Sequence, residues 1–337
     1  MKKIFNISFV YIGLIIGAGF ASGREIVEYF SIPSRNDFSG IIFAALSFSL
    51  LCYIIMTLSE KHKSKTFDDF IDAISPKFAP FIKLFMAAFM FSGYFIMLSA
   101  SGTLFEEAFG LSFGSGVFGL SFICFLVFVF DISGIVFINT LLVPFMVLGM
   151  TALCVSSLLG AAPVFLSLEN LKSNFLVSGL CYVSYNTITL GAVMVPLSEN
   201  TSRRTRLAAA ILSGSVIGIL IFIVWLSVNL FGGSVQNATM PLLTLAAFYG
   251  DKVRITYAVI LFMALCTTAI SHGFGILSKF KLKRTFDRSL AAALLCLFAM
   301  PFAKLGFSAS VQKVYAAFGF LGFLWTGLLI YKYIKKE

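Results

Sequence analysis

The sequence predicts an all-α integral membrane protein with about ten transmembrane helices. Of its 337 residues, 59% are hydrophobic and only 12% are charged, and the mean hydropathy is +0.98. A water-soluble core cannot bury that much apolar surface, so lipid must act as the solvent for much of the chain. Runs such as 41–58 and 207–231 reach the roughly 18 apolar residues that indicate a spanning helix. Outer-membrane barrels are excluded, because their strands alternate apolar and polar residues.

Apolar runs alternate with breaks that carry charges, glycine or proline. The predicted spans lie near residues 5–30, 40–58, 80–109, 114–130, 132–160, 174–196, 207–231, 253–277, 289–306 and 314–334. Residues 66–78 place apolar and acidic side chains on opposite faces, which indicates a short helix lying on the cytoplasmic surface. Residues 240–250 have a proline at a helix start and are too short to cross comfortably, so an external re-entrant or capping helix is expected.

The distribution of charge predicts the orientation in the membrane. The net charge of +10 comes from basic residues scattered among short loops, so no nucleic-acid partner is expected. With the N-terminus in the cytoplasm, most of the 25 lysine and arginine residues lie on the cytoplasmic side, as the positive-inside rule requires. An even number of spans then places both termini in the cytoplasm, and a bacterial inner (plasma) membrane is the expected location. The six cysteines fall one to an apolar run and are interpreted as packing residues.

The spans are expected to form a single transmembrane domain over residues 1–337, divisible into two sets of five. Because five is odd, the second set enters the membrane with the opposite polarity, which would make 1–160 and 161–337 inverted repeats. Segments one and six occupy corresponding places, and both are interrupted by glycines and polar residues. We therefore expect a broken helix in each, as in many transporters.

The expected break in segment one is at Gly17-Ala18-Gly19, where glycines near the middle of the membrane cost helix stability. Backbone N–H groups freed by an unwound turn suit a carboxylate or another anionic group. The alternative is a groove of small residues for close helix packing. Polar side chains in segment six need partners, solute or water, and interhelical hydrogen bonds are the alternative there. The predicted solute-binding residues are Gly17, Ala18, Gly19, Phe20, Tyr94, Tyr182, Tyr185 and Asn186.

Segment eight contains two adjacent hydroxyls, those of Thr267 and Thr268. Together with a freed carbonyl they are hard oxygen ligands for an alkali cation, with Na⁺ as the natural candidate. The alternative is that the hydroxyls bond back to carbonyls of their own helix. One turn further, His272 is expected to be a solvated residue at the helix end, although it could relay a proton in a proton-coupled protein.

The motif IGAGFASGREI at 16–26, the Tyr185-Asn186 pair followed by Pro196, and the plan of ten spans resemble the YkvI-type bacterial membrane proteins. These proteins are similar to the amino acid/polyamine/organocation superfamily with the LeuT fold. The resemblance covers essentially the whole chain in architecture, and its motifs are short. It implies a LeuT-like 5+5 inverted repeat with helices one and six broken.

The resemblance also implies a sodium site. In sodium-coupled members of the fold, two carbonyls at the break in helix one and a carbonyl plus two hydroxyls on helix eight hold one cation. By resemblance, these ligands are Gly13, Ile16, Ala264, Thr267 and Thr268. Proton-coupled relatives can place a lysine from helix five at this point, whereas segment five has none.

The outer gate departs from the family pattern. Relatives pair a basic residue on helix one with an acidic residue on helix ten, but segment ten carries Lys313 and no carboxylate near its outer end. Arg24, Glu25 and Glu28 lie on the outer half of segment one. We therefore predict a reversed gate, in which Glu25 or Glu28 pairs with Lys313.

These features predict a secondary active transporter of a small organic solute, an amino acid or an amino-acid-like zwitterion, coupled to Na⁺ and working by alternating access. Two alternatives stay open: a proton-coupled transporter of the same fold, and a membrane sensor or receptor subunit that binds a solute without moving it. An enzyme is not expected, because the chain has two histidines, no H-E-x-x-H motif and few intramembrane carboxylates. The expected partners are the solute and the lipid bilayer, with no cofactor besides the coupling ion.

Overall fold

The computed structural model describes residues 2–31, 39–130, 135–160, 175–280 and 284–335. Within these ranges the regular structure is entirely helical. Eight helices there are long and apolar enough to span a bilayer, and two shorter apolar helices, Lys3–Ile15 and Phe113–Val129, accompany them. The predicted all-α architecture of about ten spans is confirmed. The division into repeats at 1–160 and 161–337 stays a prediction, and residues 161–174, at the start of the second repeat, lie outside the described ranges.

The helices follow the order that the hydropathy pattern predicts. The first half contains α1 (Lys2–Ile15), α2 (Ala18–Ala21), α3 (Arg24–Phe30), α4 (Ser39–Lys61), α5 (Phe67–Ile74), α6 (Ala79–Phe109), α7 (Phe113–Phe130) and α8 (Ile135–Gly160). The second half contains α9 (Phe175–Leu197), α10 (Arg203–Leu230), α11 (Gly233–Gln236), α12 (Pro241–Ala247), α13 (Asp251–Leu277), α14 (Thr285–Ala299), α15 (Phe307–Ser310) and α16 (Ala316–Ile334). A 3₁₀ segment, Met300–Leu305, continues α14, and a π-helical segment, Val311–Tyr315, joins α15 to α16.

The first span is broken twice. Gly17, between α1 and α2, has an extended backbone with φ −82° and ψ −173°, so the helix stops there. Gly23, between α2 and α3, has φ +78°, a left-handed conformation that glycine adopts without the strain imposed by a Cβ. The break predicted around Gly17 is confirmed, and Ala18 and Gly19 form the start of the short helix that follows it.

The expected break in segment six is not formed, because α9 runs without interruption from Phe175 to Leu197. The side-chain amide of Asn186 donates to the carbonyl of Tyr182 at 2.9 Å, and the hydroxyl of Thr187 donates to the carbonyl of Val183 at 2.7 Å. Both bonds connect residues four apart on the same helix. They satisfy the polar side chains without unwinding the backbone, which removes the reason for a break.

The two short amphipathic segments pack against the bundle. At the start of α5, Thr66 and Asp69 form a capping box. The apolar side of this helix is buried in protein, where the rings of Phe67 and Phe70 both meet Trp325 of α16 edge-on. The predicted surface helix is therefore present, with its apolar face turned toward the bundle. At the opposite end, α12 begins with Pro241, as predicted for a capping helix.

The contact between α9 and α16 depends on small residues. A Cβ added to Gly322 would lie 2.9 Å from the carbonyl oxygen of Ser184, closer than a real Cβ contact, whereas one added to Gly327 would meet nothing within 4 Å. Backbones that approach this closely require glycine at the interface.

We expect Gly322→Ala to lower the stability of the protein by about 1–3 kcal/mol, because the added methyl group forces α16 away from α9. Thermal unfolding of the purified protein in detergent measures this effect. Gly327→Ala is the matched control, since it introduces the same change in the same helix without a clash. Equal melting temperatures for the two variants would contradict this account of the interface.

Candidate functional site

A cavity of about 120 Å³ lies beside the first break in span one. Its wall contains residues of α1, α2, α3, α6, α9 and α13, and Tyr315 of the π-helical segment. The cavity is thus formed where the broken first span meets the third, sixth, eighth and tenth spans. Apolar rings and polar groups share its surface, as is usual for a site that binds a small molecule.

Five of the predicted solute-binding residues line this cavity: Gly17, Ala18, Gly19, Tyr185 and Asn186. Their positions follow from the break, which brings α2 opposite the middle of α9. Backbone groups at the break and the side chains of α9 therefore face one small volume.

Phe20, Tyr94 and Tyr182 are not among the residues that line this cavity, and their part in solute binding stays a prediction. All three are fully buried. The Tyr94 hydroxyl lies 3.2 Å from the Cys296 sulfur, between α6 and α14. The ring of Tyr182 packs edge-on against Phe48 of α4, with centroids 5.8 Å apart. Tyr94 and Tyr182 thus pack between helices in this structure.

The break in span one contacts α13 at Thr268. Its hydroxyl accepts a hydrogen bond from the backbone N–H of Ala18 at 3.2 Å, which ties α13 to the break in span one. The neighbouring hydroxyl of Thr267 donates to the carbonyl of Ala264 at 3.0 Å. Gly13, Thr267 and Thr268 line the cavity, whereas Ile16 and Ala264 are buried behind its wall.

The predicted reversed gate is not formed among the described residues. Arg24 binds the carboxylate of Glu28, one turn along α3, with a distance of 3.2 Å between nitrogen and oxygen. Lys313 is exposed on the π-helical segment, and no ion pair in the described part of the chain joins it to Glu25 or Glu28. Glu25 instead points inward and lines the cavity. The reason is helical geometry, because adjacent residues Arg24 and Glu25 project to different sides of α3.

His272 is the clearest functional candidate that sequence reasoning misplaced. It is buried and lines the cavity, where a solvated helix end was expected. Its Nδ1 atom lies 2.9 Å from the carbonyl oxygen of Thr268, and its Nε2 atom is buried without a hydrogen-bond partner. Gly93 makes room for the ring, since a Cβ there would lie 2.5 Å from Nε2. His272 follows Thr268 by four residues, so both side chains lie on one face of α13. This spacing is the sequence signal that could have placed His272 at the cavity.

Phe89, Thr189, Ser271 and Tyr315 also line the cavity and were missed by sequence reasoning. Phe89 lies on α6 and Tyr315 on the π-helical segment. In the sequence, both look like ordinary packing residues of a membrane helix. No spacing rule links them to the first span, so only the packing of the bundle identifies them.

On the side of α12, hydrogen bonds connect span one to its neighbours. The backbone N–H of Leu242 donates to the carbonyl of Ser22 at 2.9 Å, and the Tyr257 hydroxyl donates to the carbonyl of Ala21 at 2.6 Å. In the other direction the wall continues to Ala192 and Val193, near the end of α9. In a ten-span chain that end of the bundle is the one with both termini.

No protein-family model matches the chain. The chain is 25% identical over 338 residues to the uncharacterized membrane protein YkvI of Bacillus subtilis (strain 168), covering 97% of this chain and 95% of that protein. It is 24% identical over 328 residues to the uncharacterized protein YyaD of the same organism, covering 96% of each. Relatives of full length are therefore bacterial proteins without an assigned function.

Solved structures with similar folds are membrane transporters. The manganese transporter of Eremococcus coleocola, bound to an aromatic bis-isothiourea compound, has a TM-score of 0.69 at 12% identity, covering 97% of this chain and 78% of that one. A Na⁺-coupled sialic acid symporter in a substrate-bound outward-open state has a TM-score of 0.62 at 13% identity, covering 97% and 78%. The inward-facing conformation of Mhp1 has a TM-score of 0.61 at 16% identity, covering 97% and 75%. The chain has the LeuT-like fold that the sequence predicted.

Proposed function

We propose that this protein is a secondary active transporter that moves a small organic solute across the bacterial plasma membrane by alternating access. The observation that supports the proposal is the break at Gly17 of span one, which borders a cavity lined by the third, sixth, eighth and tenth spans. A site beside a broken helix at the centre of the bundle is where transporters of this kind bind their solute. With both termini in the cytoplasm, the end of the cavity at Ala192 and Val193 would face the cytoplasm.

The proposed coupling ion is Na⁺, carried as a co-substrate. Its ligands would be the hydroxyls of Thr267 and Thr268 and the carbonyls of Gly13, Ile16 and Ala264. Support comes from Thr268, whose hydroxyl already contacts the backbone at the break. Neutral oxygen ligands of this kind suit a weakly held alkali cation, which must be released in every cycle.

The proposed solute is an amino acid or a similar zwitterion. The cavity is small, and it combines backbone at the helix break with the polar side chains of Tyr185 and Asn186. Several polar groups within one small cavity favour a compound with charged ends, such as a zwitterion, over a purely apolar one.

Uptake into proteoliposomes tests the proposal. The purified protein is reconstituted, and a radiolabelled mixture of the twenty common amino acids is added outside with an inward Na⁺ gradient. We expect accumulation that exceeds equilibrium and collapses when Na⁺ is replaced by K⁺ on both sides. Accumulation driven by an inward proton gradient without Na⁺ would assign H⁺ as the coupling ion. Binding of amino acids without any flux would favour a sensor and contradict the transporter.

A further inference from the structure

Glu25 is a buried carboxylate that faces the cavity. It lies in the first turn of α3 with only 6% of its surface exposed. Its carboxyl group packs over Gly19, where a Cβ would overlap with it. Glycine at position 19 therefore makes room for an acid at position 25, next to the break in span one.

The structure gives this carboxylate no cationic partner among the described residues. Its neighbour Arg24 binds Glu28, and none of the other ion pairs in the described ranges includes Glu25. Among the described residues, the cavity wall contains no lysine and no arginine, and its remaining titratable side chains are Tyr185, His272 and Tyr315. A buried carboxylate is stable as an anion only when a cation or hydrogen-bond donors compensate for its lost hydration.

Aromatic rings surround the same part of the cavity. Tyr185 and Tyr315 stack with centroids 4.9 Å apart, and Phe89 lies 6.3 Å from Tyr185 and 6.1 Å from Tyr315. The buried Tyr185 hydroxyl faces Glu25 and interacts with its carboxyl group. The faces of such rings attract cations, and ammonium groups bind where several rings meet an anion.

We propose that Glu25 binds the ammonium group of the solute, with Phe89, Tyr185 and Tyr315 as the aromatic wall around it. This inference rests on the proposed function in that it takes the cavity as the solute site, and it narrows the solute class. The compound must carry a protonated amine, so carboxylic acids that lack an amino group are excluded as substrates.

Binding to the purified protein in detergent tests this assignment without requiring transport. The probes form three matched sets, each an amino acid, its decarboxylated amine and its deaminated acid: alanine, ethylamine and propionate; leucine, isoamylamine and isocaproate; phenylalanine, phenethylamine and hydrocinnamate. Each probe is titrated in a thermal-shift assay, because a ligand that binds only the folded state raises the melting temperature. In at least one set we expect the amino acid and the amine to stabilise the wild-type protein and the acid to have no effect.

Glu25→Gln should weaken binding of the amine-bearing probes by about 10- to 100-fold, the range expected for losing a charge-assisted hydrogen bond. Glu28→Gln is the matched control, since it makes the same change on the same helix outside the cavity wall, and it should bind like the wild-type protein. Glu25→Asp keeps the charge and should retain the preference for amines. The melting temperature without probe shows whether each variant is folded.

Equal stabilisation by amines and deaminated acids, unchanged affinity in Glu25→Gln, or no stabilisation of the wild-type protein by any amine would overturn the assignment. So would a response to Na⁺ alone that Glu25→Gln abolishes while amine binding is retained, because the carboxylate would then be an ion ligand. Loss of amine binding in Glu25→Gln, combined with no uptake in proteoliposomes, would support the role of Glu25 and contradict the proposed transport function. Sodium-driven uptake of deaminated acids would support transport and contradict the role of Glu25.

Discussion

Thr268→Ala is expected to abolish the sodium dependence of solute uptake. The Thr268 hydroxyl lies at the point where α13 contacts the break in span one, 3.2 Å from the backbone nitrogen of Ala18. Alanine removes one oxygen ligand of the proposed site and also the hydrogen bond that positions the break. The loss of one ligand to a charged group corresponds to about 10- to 100-fold in ion affinity, enough to remove coupling at ordinary Na⁺ concentrations.

Initial rates of uptake, measured against Na⁺ concentration in proteoliposomes, give the result directly. Thr256→Ala is the matched control, because Thr256 lies on the same helix but is exposed and its hydroxyl donates to the carbonyl of Lys252. The control should keep the wild-type response to Na⁺. A wild-type sodium response in Thr268→Ala would remove this residue from the cation site.

Much of the fold could be predicted because the bilayer imposes one dominant pattern. Runs of apolar residues long enough to cross it mark the spans, and the observed helices match the predicted segments within a few residues. The break at Gly17 was predictable for a local reason, since closely spaced glycines lower the stability of a helix and allow its backbone to depart from helical geometry.

The unbroken α9 shows that polar residues within a membrane span do not by themselves predict a break in the helix. Polar residues such as Asn186 and Thr187 can satisfy themselves by bonding to carbonyls four residues earlier, and both do so here. A sequence does not reveal whether a polar side chain binds its own helix or a distant partner. Tyr94 and Tyr182 illustrate the same limit, because an aromatic hydroxyl predicted to face solute can equally be buried between helices.

The composition of the site depends on tertiary contacts. Glu25 was predicted to pair with Lys313 at an outer gate, yet α3 turns it inward over Gly19. His272 looked like a helix end, yet it lies in a space left by Gly93 of α6. Each placement requires a glycine on one element opposite a functional side chain on another, and a single sequence does not show such pairs.

Accessibility of the cavity from the two sides of the membrane tests the central claim of alternating access most directly. Ala192 lines the cavity near the end of α9, so Ala192→Cys introduces a thiol at that end of the cavity wall. Five of the six native cysteines are buried and Cys266 is partly buried, so the wild-type protein supplies the background reactivity. A membrane-impermeant maleimide is added to right-side-out and to inverted membrane vesicles.

We predict that Ala192→Cys reacts in inverted vesicles, where the reagent meets the cytoplasmic face, and stays protected in right-side-out vesicles. In inverted vesicles, Na⁺ with the amino acid mixture on the periplasmic side should change the rate, because ligands shift the population between the inward-facing and outward-facing states. Equal reactivity from both sides, or a rate that no gradient of Na⁺ or amino acids alters, would contradict alternating access around the break in span one.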